Sequence, residues 1–172
     1  MELLNIPFTR FGPDDLPRPW LPVTVINPHT NKKVRLYGLV DTGADECALP
    51  AQYAILLGHN LQEGYPKGIN TGNGKTLAYS HTIKIEISNF AIQDTLIDFM
   101  PNLYVPLLGV KSFLANFILT INYPKQTFSL QHKSIWYLSR GMLADILRRE
   151  EEDERLPPAE PALKNLITAL ES

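Results

Sequence analysis

Up to about residue 133, apolar and polar positions alternate in short runs punctuated by Gly, Pro and Asn. Beyond it, the apolar positions recur at helical spacing within charged sequence. The first part therefore predicts strands. "LPVTVINPHTNKKVRLYGLVD" holds two alternating runs around a polar turn at Asn27 to Lys32, a hairpin whose second strand leads into Asp41. "HTIKIEIS" alternates Ile83, Ile85 and Ile87 with polar neighbours, "DTLIDFMP" supplies a further short strand, and "ILTINYPKQTFSLQ" reads as a hairpin around Tyr123 to Gln126. "YVPLLGVKSFLANF" reads as a buried strand that turns at Gly109 into a short helix, and "AQYAILLGH" is the other helical stretch. In the tail, "GMLADILRREEEDERL" sets Leu143, Ile146 and Leu147 on one helical face. A proline-rich break separates it from a second stripe of Leu163, Leu166, Ile167 and Leu170. The expected organisation is an N-terminal segment over 1–19, a mostly β domain over 20–133 and a helical extension over 134–172.

With 172 residues and 44% hydrophobic side chains, the chain can bury one ordinary core. A formal net charge of −2 with scattered Lys and Arg gives no cationic stripe, which argues against nucleic acid as a partner. "MELLNIPFTRFGPDD" lacks the basic-then-apolar order of a leader, and no run is long enough to span a bilayer. The expectation is a cytoplasmic protein with no membrane partner. Cys47 is the only cysteine, so neither an intrachain disulfide nor a cysteine-built zinc site can form. His29, His59, His81 and His132 are too dispersed for a local metal-ligand spacing and read as surface or packing residues; no metal or cofactor is expected.

Two other chemistries fail on spacing. In "GINTGNGKT", Gly68 stands one residue too far from Gly74 for a phosphate loop, and the following "LAYSHTIKIEIS" alternates like a strand where that motif needs a helix. The segment is better read as a Gly-Asn-Gly hairpin tip. No G-x-S-x-G elbow occurs, and a nucleophile pair built on Cys47 has only its availability in favour.

"GLVDTGADECALP" is different. Leu36, Leu39 and Val40 carry an apolar strand up to Asp41, and Ala44, Ala48 and Leu49 return the chain to a core. A carboxylate at the end of a buried strand is placed for acid-base work, and Gly43 allows another backbone or a ligand to approach closely. The bland alternative is a turn aspartate that caps its own loop.

The stretch "LVDTGADECALP" resembles the active-site strand and loop of retropepsin-like aspartic proteases. The order of the later parts is similar too: a flap hairpin at about Ile69 to Tyr79, then Leu107, Leu108 and Gly109 followed by "VKSFLANF". The likeness spans roughly residues 20–131 and implies a small closed β-barrel with a flap and a short helix. It implies catalysis by Asp41, Thr42 and Gly43. Peptide would be held by Ala44 and Asp45 and by the flap residues Thr71, Gly72, Asn73 and Gly74. Viral members commonly carry an Arg just after the L-L-G glycine that pairs with the aspartate of D-T-G-A-D. Here Val110 and Lys111 follow Gly109, which leaves Asp45 available to substrate.

An aspartic dyad needs two carboxylates sharing one proton, yet this chain has a single Asp-Thr-Gly; Asp94-Thr95-Leu96 lacks the glycine. A symmetric homodimer acting on peptide or protein substrates supplies the second copy of Asp41. The competing expectation is a retropepsin-fold dimerisation module that binds a partner without cutting.

Overall fold

The computed structural model describes residues 1–71 and 74–134. The two tail stripes, Gly72 and Asn73 lie outside the described residues. The chain divides into two units, Met1–Lys133 and Ser134–Ser172.

Ten strands form the first unit: β1 (Glu2–Pro7), β2 (Trp20–Ile26), β3 (Lys33–Val40), β4 (Ala48–Pro50), β5 (Tyr65–Thr71), β6 (Gly74–Ile87), β7 (Phe90–Met100), β8 (Leu107–Leu108), β9 (Phe117–Asn122) and β10 (Thr127–His132). The helix α1 (Gln52–Leu56) follows β4. The larger sheet runs β2-β3-β8-β4-β7-β6-β5, and a further β2–β6 pairing joins its ends into a ring that leaves β5 outside. That ring is the small closed barrel. Its β2–β3 hairpin pairs Val23 with Leu36 around the turn read from sequence, and Asn27 holds that turn by accepting the His29 and Thr30 N–H groups. Alternation gives the core: Leu21, Val23 and Val25 of β2 and Ile83, Ile85 and Ile87 of β6 are buried, with Phe99 of β7 fully enclosed. Each such Ile or Phe stabilises the fold by about 2–3 kcal/mol through the apolar surface it removes from water.

Three expectations need correction. Residues 1–19 do not stand apart, because β1 pairs with β10 in a second sheet of order β1-β10-β9. "DTLIDFMP" belongs to a strand of 11 residues, β7, in which Asp94 adopts a φ of +46° at a break in register with β6. Asp94 therefore serves a β-bulge. The short helix read in "KSFLANF" is limited to a 3-10 stretch, Leu114–Asn116, that follows a turn. The N–H groups of Val110 and Lys111 are spent on the carbonyls of Ala44 and Asp45, at 2.8 Å each, and buried Phe113 takes a non-helical φ of −137°. No described helix is long and apolar enough to cross a membrane.

Candidate active site

β3 delivers Asp41, and β8 holds it there. The two short segments run parallel, Leu39 beside Leu107 and Val40 beside Leu108, and the Asp41 N–H donates to the Leu108 carbonyl at 3.1 Å. The Asp41 carboxylate is half-buried and accepts the Gly43 N–H at 2.9 Å. The Asx turn and the strand-end aspartate, rival readings of the sequence, are thus one structure. A Cβ at Gly43 would stand 3.2 Å from the same carboxylate oxygen, so the glycine leaves that oxygen approachable.

Gly109 explains why the L-L-G element is needed. A Cβ there would meet the Glu46 carbonyl oxygen at 2.2 Å, so only glycine lets the 109–112 turn lie against the loop that follows Asp41. Ser112 completes the union. Its hydroxyl accepts the Cys47 N–H at 3.1 Å and has the Glu46 carboxylate and the Leu96 carbonyl oxygen within reach of its proton. Cys47 is buried beneath, and burial pushes its thiol up to about 12, which removes it as a nucleophile at ordinary pH.

A cleft of about 660 Å³ opens over this loop. Asp41, Gly43, Ala44 and Asp45 line one side, and Gly68 to Thr71 of β5 line another. The β5–β6 hairpin is the flap, its pairing running from Tyr65 with Ser80 to Thr71 with Gly74. Its strands begin before the expected Ile69, and the tip residues Gly72 and Asn73 lie outside the described residues. Thr42 is exposed beside the loop, and neither it nor Gly74 lines the cleft. The Asp45 carboxylate has no partner among the described residues. Lys111, offset by one position, sends its ammonium 3.8 Å from Glu46 instead.

Sequence reasoning missed the far wall of the cleft. Asp98 of β7 is buried, accepts the Ser80 hydroxyl at 2.6 Å and pairs with Lys67 of β5 at 2.7 Å. Its signal was there to read: a carboxylate set among Ile97, Phe99 and Met100, where an unpaired charge is costly. The His59 and His81 rings lie 4.4 Å apart and both pack against Phe99, and neither lines the cleft. Among the described residues, no group of three or more potential ligands gathers as a metal site.

The comparisons agree with this geometry. A family described as "gag-polyprotein putative aspartyl protease" matches residues 26–116, more than half of the chain. The chain belongs to the retropepsin-like aspartic protease family. Among solved structures, it is similar to a retropepsin-like aspartic protease from Rickettsia conorii, at 24% identity and a TM-score of 0.57, covering 76% of this chain and 98% of that one. It also matches the EIAV protease complexed with the inhibitor HBY-793, at 22% identity and a TM-score of 0.42, over 59% of this chain and 88% of that one. No curated protein matches. The retropepsin-like barrel, flap and D-T-G loop therefore stand together in this chain.

Proposed function

We propose that this retropepsin-like chain is a homodimeric aspartic endopeptidase in which Asp41 and its symmetry mate activate a water molecule against a peptide carbonyl. One observation carries the reading: Asp41 lines a cleft roofed by a flap strand, with its carboxylate half-buried and its loop locked from behind by Gly109 and Ser112. The other cleft carboxylates are poor dyad partners. Asp98 is committed to Lys67 and Ser80, Glu46 sits with Ser112 and Lys111, and Asp45 heads no strand end of its own. Two copies of Asp41 around a two-fold axis would share one proton, one acting as base on water while the other polarises the carbonyl. Exposed Thr42 is then free to bond across the axis, and Ala44 and Asp45 to meet substrate main chain. The edge of β5 turned away from β6 takes the peptide as an added strand, and flap closure excludes water.

The test is cleavage of a denatured, mixed-sequence protein between about pH 4 and pH 7, comparing wild type with Asp41→Asn over a dilution series. The proposal expects loss of cleavage in the variant and a fall in wild-type specific activity on dilution, as mass action dissolves the dimer. A chain that sediments as a dimer yet never cuts would instead be the non-cutting interaction module.

A further inference from the structure

The Lys67–Asp98 pair has no part in supporting Asp41, yet both residues line the same cleft. Apolar residues line the same cleft: Ala48, Ile69, Met100, Leu103 and Leu107, which pack with Ala78 into a small cluster of their own. An ion pair here is not needed to hold the flap strand, since β5 already pairs with β6 along its length. Replacing such a pair by apolar residues would commonly cost nothing in stability.

The two partners differ in what they offer. Asp98 is nearly inaccessible, its side chain 3% exposed, and its oxygens are taken by Ser80 and Lys67. Lys67, which lines the cleft, has a side chain 33% exposed, and its ammonium carries more donors than the one Asp98 oxygen uses. The wall therefore presents hydrogen-bond donors at the end of an apolar surface. The charge balance narrows the matching group. Lys67 offsets Asp98 and Lys111 offsets Glu46, so Asp41 and Asp45 leave the cleft net negative. A carboxylate side chain would be repelled, whereas an amide brings the acceptor without the charge.

We infer that Lys67, held by Asp98, is a specificity residue that makes one subsite of this cleft prefer glutamine or asparagine side chains, the stem lying on the apolar wall. This deepens the peptidase reading and rests on it for the identity of the cleft as a peptide site. A subsite built to hydrogen-bond a polar tip discriminates against apolar side chains of the same size, which leave its donors unpaired.

The experiment has two arms, each using the full chain and a degenerate library of end-blocked peptides. In the first, wild type digests the library and the cut sites are sequenced by mass spectrometry. In the second, immobilised Asp41→Asn captures peptides from the same library, so selection is read without catalysis. The expected result is enrichment of Gln or Asn over Leu and Glu at one fixed position in either arm. That enrichment should fall by about 10-fold in the Lys67→Met/Asp98→Leu double variant, with selection elsewhere unchanged. Should the double variant fail to fold, Lys67→Met/Asp98→Asn removes both charges while the amide oxygen can still accept the Ser80 hydroxyl, and should lower the same enrichment. Amide selection that survives either variant, or no amide selection in either arm, overturns the inference. Capture of amide peptides by a chain that does not cut would sink the catalytic reading and leave this one standing.

Discussion

Replacing Gly109 by alanine sets a methyl group where backbone already stands. The added carbon would lie 2.2 Å from the Glu46 carbonyl oxygen, 2.3 Å from its carbon and 2.8 Å from the Ala44 carbonyl oxygen. All three are main-chain atoms, so no rotamer change relieves the contact. The 109–112 turn and the active-site loop must part by about 1 Å to restore ordinary separations. That movement stretches the 2.8 Å bonds from Val110 to Ala44 and from Lys111 to Asp45 beyond useful range. Two weakened hydrogen bonds at about 1 kcal/mol each, with about 1–3 kcal/mol of overpacking strain, give about 3–5 kcal/mol. For a domain of this size the melting temperature should drop by about 10–20 °C. Thermal melts of the full chain measure this, with Gly68→Ala as the control. No atom lies within 4 Å of a Cβ at Gly68, so that variant should stay within about 0.5 kcal/mol of wild type. If Gly109→Ala melts within about 3 °C of wild type, the close approach does not hold the loop, and the account of the L-L-G element fails.

The other expectations concern protons and single side chains. Asp41→Asn should abolish peptide hydrolysis while leaving the melting temperature within a few degrees of wild type, because among the described residues the half-buried carboxylate makes only a local turn bond to Gly43; a cutting variant would exclude the dyad. Wild-type hydrolysis should fade as rising pH ionises both carboxylates of the pair, and a full-rate plateau well into alkaline solution would contradict a shared proton. Ser112→Ala leaves the buried Cys47 N–H without its acceptor and should cost about 1–3 kcal/mol in urea unfolding, with a smaller loss arguing that water or a neighbour replaces the hydroxyl. Burial chiefly, helped by the charges of His81 and His29, lowers His59 from 6.5 to about 4. The folded chain then binds fewer protons than the unfolded chain across that window, so stability is full above the unfolded value and is lost as pH falls toward 4. The loss should be about 1–2 kcal/mol after allowing for the ring's partial exposure, and His59→Phe, stacked on Phe99, should remove it; an identical acid sensitivity in the variant would place the effect elsewhere.

What the sequence made legible divides along a physical line. Alternation exposed the β2–β3 and β9–β10 hairpins, because a strand with one buried face repeats with period two and a polar turn marks its end. Asp41 was legible for a related reason: the strand that carries it is apolar up to its last residue, and the next residues are those of a turn. β1 was not, since its Leu4 is exposed and the segment gains its partner only from β10, more than a hundred residues away. The same distance hid the far wall of the cleft. Lys67, Ser80 and Asp98 sit on three successive strands, and nothing in the local pattern of any one says which oxygen meets which proton. Such contacts exist only once the register of β5, β6 and β7 is fixed. The D-T-G loop is therefore recognisable locally, in a dozen consecutive residues, while the residues that hold it from behind and the far wall of the cleft are written across strand pairings. A short motif can reveal where Asp41 stands, whereas the Lys67–Asp98 pair can be read only with the strands in place.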